Sequence, residues 1–193
     1  MEYKLKNMEL SDLDVVFSKM KEDFPAKERA PFNSIRVNLK RKIFEGFLLT
    51  EGNMDTAYCI NTSSTDGNYQ LINYLATSKE RRGQGIGTIL LEELKKKYAN
   101  KKAIIVEVEP PTDNEKKARV RFYEKAGFII LNDIEYTLFG VDMCVMFWSE
   151  CLTEEEISST ITTVIQDIYH RTVPKLLWGR IKIRRRNCSH YNI

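Results

Sequence analysis

A glycine-rich turn constrains the fold of this chain more than any other stretch of its sequence. Residues 81–88 read Arg-Arg-Gly-Gln-Gly-Ile-Gly-Thr. An extended apolar run from Tyr69 to Thr77 precedes them, and an amphipathic pattern with helical spacing begins near Gly85. The stretch therefore predicts a turn that joins a strand to a helix.

The three glycines of this turn favour an anion-binding site. Without Cβ atoms, several backbone N–H groups at the start of a helix can point at one bulky anion, and the helix dipole also favours negative charge there. Arg81 and Arg82 are expected to add positive charge. We predict a site for the diphosphate of a cofactor or nucleotide. The alternative is a turn that only lets the helix pack close to the strand.

The spacing within the turn separates the kinds of diphosphate site. A nucleotide phosphate loop needs Lys followed by Ser or Thr after its last glycine, whereas Thr and Ile follow Gly87 here. A dinucleotide fingerprint needs a glycine at its sixth position, which is Thr88 when counted from Gly83. The pattern Arg82-x-x-Gly85-x-Gly87 instead resembles the acetyl-CoA pyrophosphate loop of the GNAT superfamily of N-acetyltransferases.

The chain after the turn alternates strand and helix patterns. A β-branched run from Ala103 to Val108 completes a strand–helix–strand unit, for which a right-handed parallel crossover is expected. We predict a helix from about Asn114 to Ala126, a strand from Phe128 to Leu131 and a last strand from Val141 to Trp148. A capping box at Thr153 opens a further helix.

A second motif strengthens the resemblance. Residues 121–128 read Arg-Phe-Tyr-Glu-Lys-Ala-Gly-Phe, which is similar to the later GNAT motif in which a Tyr lies on a helix that ends in Gly-Phe. The resemblance extends over residues 3–148 in layout. It implies an α/β (mixed α+β) fold with a central mixed sheet, a parallel strand–helix–strand unit and a splay between strands at the cofactor site. It also implies that an amine attacks acetyl-CoA directly in a ternary complex.

The resemblance assigns the co-substrate acetyl-CoA to the turn and to the strand before it. The backbone of residues 83–88 would hold the pyrophosphate, and the strand would pair with the pantetheine. The predicted cofactor-binding residues are Leu75, Ala76, Thr77, Arg82, Gly83, Gln84, Gly85, Ile86, Gly87 and Thr88. One family feature is missing, because Lys116 stands where an Asn often contacts the cofactor.

Three residues are candidates for proton transfer. The resemblance implies that Tyr123 protonates the departing thiolate, since a phenol with a pKa near ~10 stays protonated at neutral pH. The alternative for Tyr123 is an ordinary core aromatic. Glu107 and Glu109 share a strand face and are candidates for the general base, acting through water. Their alternative is a solvated strand face.

Three further residues are candidates for substrate binding. Asn73 and Tyr74 would lie beside the predicted splay and orient the catalytic water. Glu28 lies in the proline-flanked segment Phe24–Phe32 and is expected to bind a cationic amine. The segment itself is predicted to be a lid or pocket wall, or else a plain connector between helices.

Charge is distributed unevenly along the chain. Of 30 Lys and Arg residues, six follow Pro174, with no acidic residue among them. We predict a single acetyltransferase domain over residues 1–173 and a basic tail over residues 174–193. Two alternatives to an amine acetyltransferase remain: a catalytically silent acyl-CoA-binding or regulatory module, and a protein that contacts nucleic acid through the tail. We favour a solvated tail, expect no membrane contact and leave a homodimer open.

Cysteine and histidine usage argues against a metal site. The four cysteines form no C-x-x-C pair, and the chain has only two histidines. Cys188 and His190 lie close together near the end of the chain, and we treat them as tail residues. With no secretory signal pattern and no apolar run long enough to span a membrane, we expect a metal-free enzyme of the cytoplasm.

Overall fold

The computed structural model describes residues 2–186 of the 193-residue chain. The chain divides into two compact units. Within the described residues, unit 1 comprises residues 2–63 and 71–100, and unit 2 comprises residues 64–70 and 101–186. Both units mix helices with strands, as the predicted α/β class requires.

Unit 1 is built on antiparallel strands. Its elements are β1 (Tyr3–Asn7), α1 (Leu13–Asp23), α2 (Phe32–Lys40), β2 (Phe44–Glu51), β3 (Met54–Ser63), β4 (Tyr69–Thr77, in this unit from Leu71), a short 3-10 turn (Lys79–Arg81) and α3 (Ile86–Lys97). β1 and β3 flank β2, and Leu5 lies opposite Leu49. The bounds of β4 are those predicted from the sequence.

The core of unit 1 lies between its strands and the helices α1 and α2. Apolar residues recur on these helices at intervals of three and four, so one face of each helix is buried. They cluster with apolar strand residues, and the main members are Leu13, Val16, Met20, Ile35, Leu48, Tyr58, Ile60 and Ala76. The two helices are thereby fixed on one face of the strands.

Unit 2 contains a second set of paired strands. Its elements are β5 (Ala103–Val108), α4 (Asn114–Lys125), β6 (Ile129–Ile130), β7 (Ile134–Leu138), β8 (Val141–Trp148), α5 (Glu154–Thr172), a 3-10 turn (Lys175–Arg180) and β9 (Ile181–Arg185). The strand order is β5-β8-β7-β9, and β6 also pairs with β8. The capping box that opens α5 is formed as predicted by Thr153 and Glu156.

Strand β9 was not predicted, and β8 is therefore not the last strand. Residues 181–185 pair antiparallel with β7, and Ile183 lies opposite Tyr136. Ile181 and Ile183 are buried, whereas the intervening Lys182 is exposed. This alternation is that of a strand with one covered face, and the high charge of the stretch obscured it in the sequence.

Acidic partners compensate part of the basic charge of β9 and the residue after it. Arg184 and Arg186 pair with the carboxylate of Glu135 at 2.5 and 3.2 Å. Arg185 donates to Asp133 at 2.7 Å. These three cations are therefore engaged inside unit 2, which leaves less free positive charge for contact with nucleic acid.

Candidate active site

The glycine-rich turn adopts a backbone conformation that favours glycine at two positions. Gly83 has φ of 76° and Gly85 has φ of 80°, both in the left-handed region. A Cβ atom built on either residue would meet nothing within 4 Å. The glycines are therefore not there to let the helix pack closely against the strand. Gly83 and Gly85 allow the left-handed backbone of the turn. The absence of side chains at both positions leaves open space over it.

The first turn of α3 carries no side-chain cap. Gly85 is the N-cap, and the first intrahelical bond runs from the Ile89 amide to the Gly85 carbonyl at 3.1 Å. The amides of Ile86, Gly87 and Thr88 precede that bond and have no helical acceptor. By contrast, the side chain of Asp113 caps α4. With no acidic residue in its first turn, α3 presents its amides and positive dipole end to an anion.

The two arginines of the turn have different partners. Arg81 forms an ion pair with Glu51 and also donates to the hydroxyl of Tyr3, so its positive charge is offset. Arg82 donates from Nη2 to Oδ1 of Asp23 at 2.5 Å. Glu51 offsets the charge of Arg81 and Asp23 offsets that of Arg82, so neither arginine adds the full positive charge expected beside the turn.

The strand residues predicted to face the pantetheine form the end of β4. Leu75, Ala76 and Thr77 are the last three residues of that strand. Ala76 is buried in the core of unit 1, whereas Leu75 and Thr77 are partly exposed. The carbonyl of Thr77 accepts a hydrogen bond from Nε of Arg82 at 3.3 Å. This hydrogen bond joins the end of β4 to the glycine-rich turn. The contacts of the strand with the pantetheine stay a prediction.

Two of the three predicted substrate-binding residues lie together. The hydroxyl of Tyr74 donates to the carbonyl of Glu28 at 3.3 Å and accepts from the amide of Ala30 at 2.8 Å. The Tyr74 ring also packs edge-on against Phe24, with 5.3 Å between ring centroids. Tyr74 therefore fixes the segment between α1 and α2 over β4. Asn73 is held separately, because its Oδ1 accepts from the hydroxyl of Thr62.

Glu107 lies at the centre of a hydrogen-bond network in unit 2. Oε1 accepts from the hydroxyl of Tyr136 at 2.6 Å, and Oε2 accepts from the hydroxyl of Tyr169 at 2.5 Å. Burial raises the pKa of Glu107 to about 7, and the two hydroxyl donors oppose that rise. Glu107 is therefore poised to exchange a proton near neutral pH.

Glu109, the other candidate base, is in a different environment. It follows the end of β5, and its carboxylate lies 3.4 Å from Nζ of Lys116. Lys116 is the residue that stands in place of the family's Asn. The carboxylate of Glu109 is therefore engaged by an ammonium group, whereas that of Glu107 is held by two hydroxyls.

Tyr123 lies on α4 between two aromatic rings. It is 9% exposed, and its ring makes edge-on contacts with Phe122 and Phe128 at centroid distances of 5.0 and 5.5 Å. Its carbonyl accepts from the amide of Phe128 at the helix end, where Gly127 has φ of 81°. The packing fits a core aromatic and fixes the ring rigidly, so the acid role of Tyr123 stays a prediction.

Three residues of these networks were not found by sequence reasoning. They are Asp23, Tyr136 and Tyr169, and each reaches its partner across a large separation in sequence. No local pattern marks them. Within residues 2–186 no cluster of side chains is arranged to hold a metal ion, and no helix is long and apolar enough to cross a membrane. Cys188 and His190 lie outside the described residues.

Known proteins share part of this sequence. Residues 45–130 match the model of a family described as an acetyltransferase (GNAT) domain. A curated relative, "Putative acetyltransferase YjbC" of Bacillus subtilis (strain 168), is 36% identical over 109 residues. That match covers 51% of this chain and 54% of the relative, so the chain spans about half the length of the curated protein it matches.

Solved structures share the fold over most of the chain. A protein titled "Putative acetyltransferase from GNAT family from Bacteroides thetaiotaomicron" superposes with a TM-score of 0.71 at 20% identity, covering 83% of this chain and 94% of that one. The ribosomal-protein-S18-alanine N-acetyltransferase of Escherichia coli gives 0.62 at 19% identity, with coverages of 79% and 96%. Spermidine N-acetyltransferase of Vibrio cholerae gives 0.60 at 13% identity, with coverages of 77% and 94%.

Sequence and structure comparisons agree with the residues that carry the resemblance. The family match includes the glycine-rich turn, and the structural matches confirm the predicted α/β fold. Residues 45–130 are thus similar to the acetyltransferase (GNAT) domain family, and the chain shares the fold of solved structures from that family.

Proposed function

We propose that this chain transfers the acetyl group of acetyl-CoA to a primary amine of a small molecule or peptide. The observation that carries the proposal is the uncapped first turn of α3 behind two left-handed glycines, Gly83 and Gly85. Two relatives by fold are named for amine acetylation, one acting on a ribosomal-protein alanine and one on spermidine. Those names support an amine as the acceptor proposed here and leave its identity open.

The residues of the turn fit the diphosphate of coenzyme A. The amides of residues 86–88 and the open space over Gly83 and Gly85 provide donors without side chains in the way. Arg82 provides a guanidinium beside them, and its planar fork suits phosphate oxygens. In this proposal the end of β4 holds the pantetheine, so that the thioester and the amine meet in a fixed orientation.

Proton transfers complete the reaction. The amine nitrogen attacks the thioester carbonyl, the C–S bond breaks, and the amine gives up a proton. Glu107 accepts this proton through water, because its pKa of about 7 lets it be ionised at neutral pH and still basic. Tyr123 donates a proton to the departing sulfur. Glu109 remains paired with Lys116.

The acceptor amine is assigned to the segment between α1 and α2. Glu28 offers a carboxylate there, with its side chain 26% exposed, and Tyr74 holds the backbone of Glu28 in place. A partly buried carboxylate favours a cationic amine over a neutral one. Asn73 and Tyr74 would order the water that leads to the base.

The test is thiol release from acetyl-CoA with a panel of small amines, polyamines, aminoglycosides and peptides with free amines. We expect free thiol to form in equal amount with an acetylated amine. Calorimetry with coenzyme A runs in parallel. Binding of coenzyme A without turnover of any amine would favour a silent acyl-CoA-binding module, and absence of binding would refute the proposed function.

A further inference from the structure

We propose that Asp23 is a positioning residue for the coenzyme, acting through Arg82. The proposal rests on the function proposed above, since it assumes that the turn binds the diphosphate. Asp23 is the last residue of α1, far from the turn in sequence, and nothing in the glycine motif points to it. Its carboxylate accepts from Nη2 of Arg82 at 2.5 Å, within unit 1.

The guanidinium of Arg82 is held through two of its three nitrogens. Nε donates to the carbonyl of Thr77 at 3.3 Å, and Nη2 donates to Asp23. Nε and Nη2 are therefore engaged, and Nη1 donates to no residue in the part of the chain that the structure describes. The N–H groups of Nη1 remain as donors for phosphate oxygens.

Asp23 itself is held in place. Its other oxygen accepts from the hydroxyl of Tyr58 at 2.8 Å. The side chain of Asp23 is 8% exposed, and Tyr58 is buried in the core of unit 1. Burial and the neighbouring carboxylate raise the pKa of Tyr58, so its hydroxyl stays protonated and donates. A core tyrosine thus fixes the carboxylate, and the carboxylate fixes the arginine.

The energetic consequence of these contacts is that the Arg82 side chain is preorganised for diphosphate binding. A free Arg side chain loses much rotamer entropy when it binds a ligand, which weakens binding. Asp23 and Thr77 impose that order before the ligand arrives. Removing Asp23 should therefore weaken diphosphate binding roughly three- to tenfold.

Asp23 also has an effect on coenzyme A affinity of the opposite sign, which makes the proposal testable. A carboxylate beside Arg82 also cancels positive charge that would attract phosphate. If cancellation dominates, removing Asp23 tightens binding of coenzyme A. Positioning and cancellation thus predict opposite signs for the same substitution.

The experiment compares calorimetric affinities for coenzyme A and acetyl-pantetheine, which lacks the diphosphate. Asp23→Ala should weaken coenzyme A binding roughly three- to tenfold and leave acetyl-pantetheine binding and kcat at saturating acetyl-CoA unchanged. Asp23→Asn keeps an acceptor oxygen for Arg82 and should restore most of the affinity. Glu22→Gln is the matched control, because the neighbouring Glu22 pairs with Lys79 instead of Arg82.

A double-mutant cycle shows whether Asp23 acts through Arg82. In an Arg82→Ala background, Asp23→Ala should change coenzyme A affinity by less than about twofold, because the group it positions is gone. Equal effects of Asp23→Ala in both backgrounds, or tighter binding in the single variant, would overturn the proposal. Wild-type protein that binds no coenzyme A would overturn the proposed function as well, so the two failures are distinguishable.

Discussion

Replacing Glu107 by Gln should remove a pH dependence from the stability of the protein. Burial raises the pKa of Glu107 from 4.5 to about 7 in the folded state. The folded protein therefore favours the protonated carboxyl. The contribution of this group to stability is complete below the unfolded pKa and is lost as the pH rises through about 7.

The size of the effect follows from the shift. A rise from 4.5 to about 7 corresponds to at most about 3.5 kcal/mol, at about 1.4 kcal/mol for each pH unit. About 2.5 kcal/mol of this loss should occur between pH 5 and pH 8. The other titrating groups are common to both proteins, so the difference between wild type and Glu107→Gln isolates the contribution of this carboxyl.

Urea unfolding at a series of pH values measures the difference. The wild type should lose stability relative to Glu107→Gln as the pH rises, mostly between the unfolded pKa of 4.5 and the folded pKa of about 7, and the difference should level off above about 7. Tyr136→Phe removes one of the two hydroxyl donors that lower the pKa of Glu107 and should move this levelling-off to higher pH. Parallel stability curves for wild type and Glu107→Gln from pH 5 to 8 would refute the reasoning.

Three further substitutions test the site and the fold. Tyr123→Phe should lower kcat roughly 10²–10⁴-fold with coenzyme A affinity retained, and an unchanged kcat in steady-state assays would end the acid assignment. Gly85→Ala should cost about 1–2 kcal/mol in unfolding free energy because of its left-handed backbone, and should also weaken coenzyme A binding in calorimetry. Gly52→Ala, at a left-handed hairpin position, is its control and should change stability alone. Ile183→Ala should destabilise the protein by about 2–5 kcal/mol, whereas the exposed Lys182→Ala should have little effect on the urea midpoint; equal effects would contradict the role of β9.

Local signals made the main elements predictable. The ends of the apolar run at residues 69–77 and of the β-branched run at residues 103–108 are visible in the sequence itself. The structure has strands with the same ends. The capping box at Thr153 and the glycine closure at Gly127 depend on neighbouring residues only. The turn at residues 81–88 was equally visible, since its conformation follows from its glycines.

Contacts between distant residues could not be predicted in the same way. The carboxylate of Glu107 looked like one member of a solvated strand face, because neither Tyr136 nor Tyr169 is near it in sequence. Asp23 meets Arg82 only after α1 and β4 have come together in unit 1. Strand β9 was missed for a different reason. Its high content of Lys and Arg favoured a solvated tail over a strand, although its two isoleucines alternate with charged residues.

The pairing of β7 with β9 has a consequence for synthesis on the ribosome. β7 is made well before its partner, and the whole of α5 must emerge in between. During that interval the nascent chain presents an unpaired strand edge, which is the kind of surface that associates with other chains. Slow translation of this region, or a shortage of chaperones, should therefore increase aggregation during expression.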